Sequence, residues 1–268
     1  MQITAIATYP VKGCHRIEHD VADVEPWGLA GDRRWMMVDA DGVGITQRIL
    51  PLLTQLSVRM RPGGLELSAP GMPTLAVDEP VDGPEELVRV FKNHAPAPAR
   101  IAETAWSSAF LGRPVRLAWQ ADPGGRHVGG NPADGEPVSF ADGYPLLIAN
   151  TASLSALNDW LTEAGDEPVP MTRFRPNLVV SGALPWAEDD WSARGVRLKI
   201  GDAVLNADKP CPRCLVTTVD QETGEKGKQP LRMLGQRRRF GDGLLFAINL
   251  IPVVTGSLRV GDAVTVLD

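Results

Sequence analysis

Short apolar runs that alternate with polar residues, each cut off by a Gly- or Pro-bearing turn, confine this chain to a sheet-built fold. The opening run puts Ile3, Ala5, Ala7 and Tyr9 on one face of a strand and stops at Pro10, whose ring removes a backbone donor that a strand ladder needs. Arg34-Trp35-Met36-Met37-Val38 runs into Asp39-Ala40-Asp41-Gly42, where the Asp-Gly pair signals a hairpin. Pro62-Gly63-Gly64 then turns the chain into the alternating Leu65-Glu66-Leu67. The 27 glycines and 23 prolines are scattered among these runs rather than massed in a repeat, which suits many short strands joined by turns.

Helical periodicity breaks in at few places. From about residue 101, Ala102, Trp106, Ala109 and Phe110 recur at helical spacing, and Gly112 with Pro114 supplies a stop. Val115-Arg116-Leu117 reads as a strand, and the Gly-, Pro-, Asp- and Asn-rich stretch from Gln120 to Pro137 as a loop or linker with Arg126 and His127 exposed. Pro145 to Ala149 is a short buried strand. Asn150 or Thr151 caps a helix bearing Leu154, Leu157, Trp160 and Leu161 that ends at Gly165. Leu178-Val179-Val180 is another strand. Lys199 to Leu205 echoes Arg259 to Thr265, each a strand, a Gly-Asp turn and a strand, as two hairpins of one barrel would be.

The net charge of -6 argues against a nucleic-acid partner, which usually selects a basic domain. Positive charge is clustered instead: Arg173 and Arg175 flank Phe174, and Arg237, Arg238 and Arg239 follow Arg232. These leave open an anion site or, for the triple Arg, a solvated loop. No apolar stretch approaches the roughly 20 residues that span a bilayer, and Met1 to Tyr9 lacks a basic, then apolar, leader. A cytoplasmic location with no membrane partner is therefore expected.

In a reducing compartment, three cysteines with one C-x-x-C point to metal or redox chemistry rather than structural disulfides. That motif is Cys211 and Cys214, beside Lys209 and Arg213, whose charge would favour thiolate. Zinc would need more ligands, with Cys14 and His15 as the remaining candidates. A thioredoxin-type dithiol would need a helix after the motif, whereas the β-branched Leu215-Val216-Thr217-Thr218-Val219 reads as a strand. Two buried cysteines packed as small hydrophobes are a further reading. The last is one thiolate on a soft, redox-active metal whose other ligands come from a cofactor.

Four segments, in order and at these intervals, carry a resemblance: Tyr9-Pro10-Val11-Lys12-Gly13-Cys14, Gly31-Asp32-Arg33-Arg34-Trp35, Phe174-Arg175-Pro176-Asn177, and Cys211-Pro212-Arg213-Cys214 through Asp220. The chain resembles the MOSC-domain molybdenum proteins, in the branch of the mitochondrial amidoxime reducing component and its bacterial relatives, over essentially its whole length. The resemblance implies a mainly β protein of two β-barrel-like domains with a few peripheral helices. Residues 1–118 would be the MOSC N-terminal β-barrel domain and residues 119–268 the MOSC domain. It implies molybdenum-molybdopterin as cofactor, Cys214 as metal ligand, and Asp142 as an acidic residue near the metal. Lys12, Gly13, Arg33, Arg175, Asn177 and Arg213 would be its cofactor-binding positions. Gly13 and Pro212 stand where family members often carry serine.

The activity so implied is reduction of an N-hydroxylated small molecule. With no ferredoxin module in the sequence, electrons are expected from a separate protein, a ferredoxin or a flavin reductase. A cofactor or sulfur carrier without turnover is the alternative, and the resemblance also implies a link to a pyridoxal phosphate superfamily. Trp186, Trp191 and the arginine run are the remaining distinctive residues for a substrate pocket.

Overall fold

The computed structural model describes residues 1–128 and 135–267. The middle of the expected linker, residues 129–134, lies outside the described residues. Mainly strands, with four short α-helices among the described residues, make up the protein, as expected.

The largest sheet has nine strands. Its antiparallel backbone runs from Val264–Leu267 through Arg197–Ile200, Ala203–Pro212 and Gly243–Val254 to Leu146–Asn150. There it turns parallel into Leu178–Ser181, then antiparallel to Gln2–Thr8 and Ile17–His19. The start of Gln2–Thr8 is tied back to the far end of this order: the Ile3 amide donates to the Asp262 carbonyl and the Gly261 amide to the Ile3 carbonyl, each at 2.9 Å. The sheet thereby curls toward itself, and this contact covers the start of the Gln2–Thr8 edge. Inside it pack Ile3, Ile6, Ile148, Leu178, Val180, Leu198, Leu205 and Leu250.

The first half builds a five-stranded sheet in the order Glu85–Val88, Ala97–Glu103, Arg116–Trp119, Trp35–Val38, Val11–Lys12. Strand alternation splits Trp35-Met36-Met37-Val38 between two cores, Trp35 and Met37 in one and Met36 and Val38 in the other, so both faces of this strand are covered. Ser57–Arg61, Gly64–Ser68 and Leu75–Asp78 form a three-stranded meander. Its first turn is the expected Pro62-Gly63-Gly64, with Gly63 at φ +69°.

Four readings of local structure need correction. The helix expected near residue 101 runs only over Ala105–Leu111, because Ala97–Glu103 is claimed by strand pairing with Arg116–Trp119. The Glu103 carboxylate accepts from the amides of Trp106 and Ser107 at 2.5 and 3.0 Å and so starts the helix. The second Gly-Asp echo is not a hairpin: Gly256–Arg259 pairs with Val21–Glu25 while Val264–Leu267 pairs with Arg197–Ile200. The chain changes sheet at Gly261, which adopts φ +98°.

The segment after Cys214 is a 3-10 turn, Leu215–Thr218, not a strand. Its threonines decide this, since Thr217 and Thr218 hydroxyls donate to the carbonyls of Cys214 and Leu215, three residues back, at 2.9 and 2.8 Å. Arg126, read as exposed, is buried, and its guanidinium donates to the carbonyls of Ser139, Ala141 and Asp142. His127 is half-buried and bonds the Gly135 carbonyl at 2.8 Å.

Pairing crosses the expected 118/119 boundary. Gln2–Thr8, Ile17–His19 and Val21–Glu25 all pair with strands of the second half or with each other inside its sheets.

Candidate functional site

One cleft collects the eight metal- and cofactor-site positions that the resemblance implied: Lys12, Gly13, Arg33, Asp142, Arg175, Asn177, Arg213 and Cys214 all line it. About 870 Å³ of empty space lies within it, part of it open to solvent. Its walls come from chain segments brought together by the two sheets. Lys12 ends the short strand Val11–Lys12, Arg33 precedes Trp35–Val38, Arg175 follows the 3-10 turn Met171–Phe174, and Asn177 leads into Leu178–Ser181.

Among the described residues four non-glycines have positive φ, and two of them are Arg33 at +49° and Arg175 at +53°. A left-handed backbone is unfavourable for such side chains, so the fold imposes this geometry to aim both guanidiniums inward. Their carbons stand 4.6 and 4.0 Å from the centroid of the buried Tyr9 ring, within cation–π range. Arg33 also pairs with the fully buried Asp32 carboxylate, and Asp32 in turn accepts from the Tyr9 amide at 2.7 Å. Burial pushes the Arg175 guanidinium down to about 10; it still carries its proton at neutral pH.

Asn177 is 1% exposed and its amide is engaged within the protein. Its Oδ1 accepts from the Leu147 amide and from Arg33, each at 3.2 Å, and its Nδ2 donates to the Ala7 carbonyl at 3.2 Å. The side chain therefore fastens three strands and the arginine at the cleft wall.

Lys12 is 5% exposed. Its ammonium donates to the Phe140 carbonyl at 2.8 Å and to Asp142 Oδ1, and lies 5.5 Å from the Phe91 ring centroid. Burial lowers it to about 8, against the pull of Asp142. On the Asp142 side, loss of water works to raise the carboxyl, and the Lys12 charge and hydrogen bond outweigh it. The carboxyl thus sits below the usual carboxylate range. Arg48 reaches the other carboxylate oxygen at 3.9 Å. Asp142 keeps 61% of its side chain exposed, an anion held at the mouth of the cleft between two cations.

Cys211 closes the strand Ala203–Pro212, and Cys214 precedes the Leu215–Thr218 turn. Both thiols are free, half-buried and on the cleft. The neighbouring guanidinium favours the first of them: Arg213 Nη1 donates to Cys211 Sγ at 2.9 Å, and its Nη2 to the Phe174 carbonyl at 2.7 Å. The buried Nε of Arg213 has no partner in the protein.

The zinc set considered from sequence does not assemble. Cys14 is fully buried, His15 is taken by Glu222 at 3.0 Å, and no group of three His, Cys, Asp or Glu sits together among the described residues. Lys209 is turned toward the Tyr144 ring, 4.9 Å from its centroid.

One further expectation fails and another holds in part. Trp186 stacks on Trp160 at 5.3 Å and 12°, and Trp191 is buried in the barrel core, so neither lines the cleft. Of the arginine run, Arg238 is buried against Asp189 and the Trp186 ring. It is a structural residue, while Arg237 and Arg239 are exposed, as a solvated loop would leave them.

Sequence reasoning missed a buried amide pair that joins the two halves at the cleft. Gln47 donates to the Gly13 carbonyl at 2.7 Å and to Gln221 Oε1 at 3.0 Å, and Gln221 returns a bond to Gln47 Oε1 at 3.0 Å. Arg175 donates to the same Gln221 oxygen at 2.7 Å and to the Cys14 carbonyl at 3.0 Å. Two isolated glutamines 174 positions apart leave no local pattern.

Comparison with known proteins gives the family. Residues 135–265 match the MOSC domain and residues 1–114 the MOSC N-terminal beta barrel domain. Mitochondrial amidoxime-reducing component 1 of Homo sapiens is 31% identical, over 97% of this chain and 81% of its own length. This chain belongs to the MOSC-domain family. Mitochondrial amidoxime reducing component 2 of Bos taurus is 29% identical over 98% of the chain and 82% of its length. The MOSC chain also matches molybdenum cofactor sulfurase of Danio rerio at 30% identity, over 88% of the chain but 30% of that longer protein.

Proposed function

We propose that this MOSC protein is a molybdenum-cofactor-dependent oxidoreductase that reduces N-hydroxylated small molecules with electrons from a separate redox protein. The observation that carries the reading is one cleft in which a free Cys214 thiol faces the cations of Lys12, Arg33, Arg175 and Arg213. A molybdopterin presents a phosphate and a metal with an affinity for sulfur, so this donor set fits it. Cys214 would ligate the metal, and Lys12, Arg33, Arg175 and Arg213 would hold the anionic and polar parts, with the backbone of Gly13 beside them.

When bound, the cofactor supplies the two electrons that, with two protons, convert an N–OH group to N–H and water. The protein's own contribution is positional. Asn177 and the Gln47–Gln221 pair fix the arginines, and Arg126 fixes the Phe140–Asp142 segment through three carbonyls. Asp142 is the acidic residue proposed to stand near the reacting atoms. Because Lys12 holds it ionised near neutrality, it accepts hydrogen bonds there, and the proton of the pair resides on Lys12 Nζ.

Protein produced in a molybdenum-competent host should hold about one molybdenum and one pterin per chain and turn over an N-hydroxylated amidine with an added reductase and ferredoxin. Cys214→Ser should lose activity while remaining folded. Purified protein carrying zinc or no metal would overturn the reading. The likeness to molybdenum cofactor sulfurase supports a second reading, a cofactor or sulfur carrier; loaded protein without turnover would favour it.

A further inference from the structure

The 3-10 turn Leu215–Thr218 separates two concavities. Cys214 and Val216 line the cleft, while Leu215 and Thr218 line a second, more open groove on the other side of the same turn. Leu231 and Leu244 join Leu215 on its floor, and Lys228, Arg232 and Arg239 stand exposed around it. Leu215 is 60% exposed and Phe240, next to Arg239, 54%. From Glu225 to Asp242 the chain carries two carboxylates against five exposed cations, Lys226, Lys228, Arg232, Arg237 and Arg239, while its net charge is -6.

We propose that this groove is the docking face for an acidic one-electron redox protein that feeds the metal bound at Cys214. The assignment rests on the proposed reductase activity. Charge complementarity selects the partner: a basic rim in an acidic chain steers an acidic protein and orients it. The exposed Leu215 and Phe240 provide the apolar centre that such interfaces need inside a charged rim. Leu215 is bonded directly to Cys214, so a donor seated here is one peptide from the thiolate. The cleft on the other side of the turn stays open for substrate. Each turnover takes two electrons and two protons, with N–OH becoming N–H and water, so a one-electron donor must dock, transfer and leave twice. A rim of screened surface charges suits that exchange better than a large apolar interface.

The test compares two reductants on the cofactor-loaded protein with benzamidoxime as substrate: a strongly acidic [2Fe-2S] ferredoxin reduced enzymatically, and dithionite-reduced methyl viologen. The variant is Lys228→Glu/Arg232→Glu/Arg239→Glu. The control is Arg197→Glu/Lys199→Glu/Arg259→Glu, three exposed residues outside the groove. The groove variant should weaken calorimetric binding of the oxidised ferredoxin to the cofactor-free protein about tenfold or more, raise the KM for ferredoxin in step and flatten its dependence on salt, with viologen-driven turnover within about twofold of the parent. Equal loss in the control, or no change in ferredoxin KM, overturns the assignment. So does a groove variant that keeps its ferredoxin kinetics but no longer sediments with phosphatidylglycerol vesicles, which would make the groove a membrane face. If the parent fails to turn over with viologen, the reductase reading falls first, and the docking assignment falls with it.

Discussion

Arg33 donates to the side-chain oxygen of Asn177 at 3.2 Å across 144 positions of sequence. The same oxygen accepts the Leu147 amide, and the amide nitrogen reaches the Ala7 carbonyl. Asn177→Ala would leave two backbone groups and a guanidinium in a buried site short of a partner. Arg33 keeps Asp32 as a partner, so with roughly 1–3 kcal/mol for each of the two backbone groups orphaned a loss of about 2–6 kcal/mol is expected, read from urea unfolding followed by circular dichroism. Asn177→Asp keeps the acceptor for Leu147 and Arg33 and should lose less. Equal losses for the two variants would show that the acceptor oxygen is not what matters.

Restoring the family's frequent serine should not be neutral here. Gly13 adopts φ +82°, and a Cβ there would stand 3.2 Å from Leu53 Cδ1 and 3.9 Å from the Ile45 carbonyl oxygen. Left-handed backbone in a residue with a side chain costs on the order of 1–3 kcal/mol. Gly13→Ser should therefore lower the unfolding midpoint, with Gly13→Ala lowering it similarly. A serine variant more stable than its alanine counterpart by over 1 kcal/mol would mean that its hydroxyl makes a compensating bond.

Lys12 sets a pH dependence whose sign follows from burial. Its folded value of about 8 lies below the ordinary lysine value of about 10.4. Between these two, the unfolded chain holds the proton more tightly, so the Lys12 contribution to stability rises with pH. Binding of anions goes the other way, because the cleft loses a cation as pH rises through about 8. Calorimetric titration of cofactor-free protein with pyrophosphate should show weaker binding at pH 9 than at pH 7. Lys12→Met should abolish most of that difference; retention of the full difference would assign it to another group.

Thiol chemistry should divide the three cysteines. Burial pushes the Cys14 thiol up to about 12, and its side chain is fully enclosed. Cys211 and Cys214 are half-buried on an open cleft. In cofactor-free protein, iodoacetamide should modify Cys211 and Cys214 within the time that leaves Cys14 untouched, with Cys14 reacting only in denaturant. Peptide mass spectrometry decides this, and early modification of Cys14 would show that the first-half core opens in the native state.

What could be read from sequence depended on how local each signal was. The turn at Pro62-Gly63-Gly64 and the Asn150 cap, whose side chain accepts from the Ala152 amide, are complete within a few residues. The site residues were legible because four short motifs fell in register with a family, and the structure gathers all of them into one cleft. The turn after Cys214 was misread since β-branched threonines satisfy either a strand or a hydroxyl-bonded 3-10 turn. The burial of Arg126 was hidden because its partners are backbone carbonyls 13–16 residues further on, which carry no sequence signature. The Gln47–Gln221 pair was hidden by distance alone.

The strand Gln2–Thr8 carries a consequence for synthesis in the cell. Thr4 bonds the Val179 carbonyl, 175 residues later, and the Ile3 backbone waits for Gly261 and Asp262. At about 5–20 residues per second, translation leaves this segment with Ile17–His19 alone, and without Leu178–Ser181 beside it, for roughly 10–35 s until Val179 is made. A segment made 175 residues ahead of the strand it lies against is thus seated late, and a growing chain must keep Ile3 and Ile6 from finding other company in the meantime.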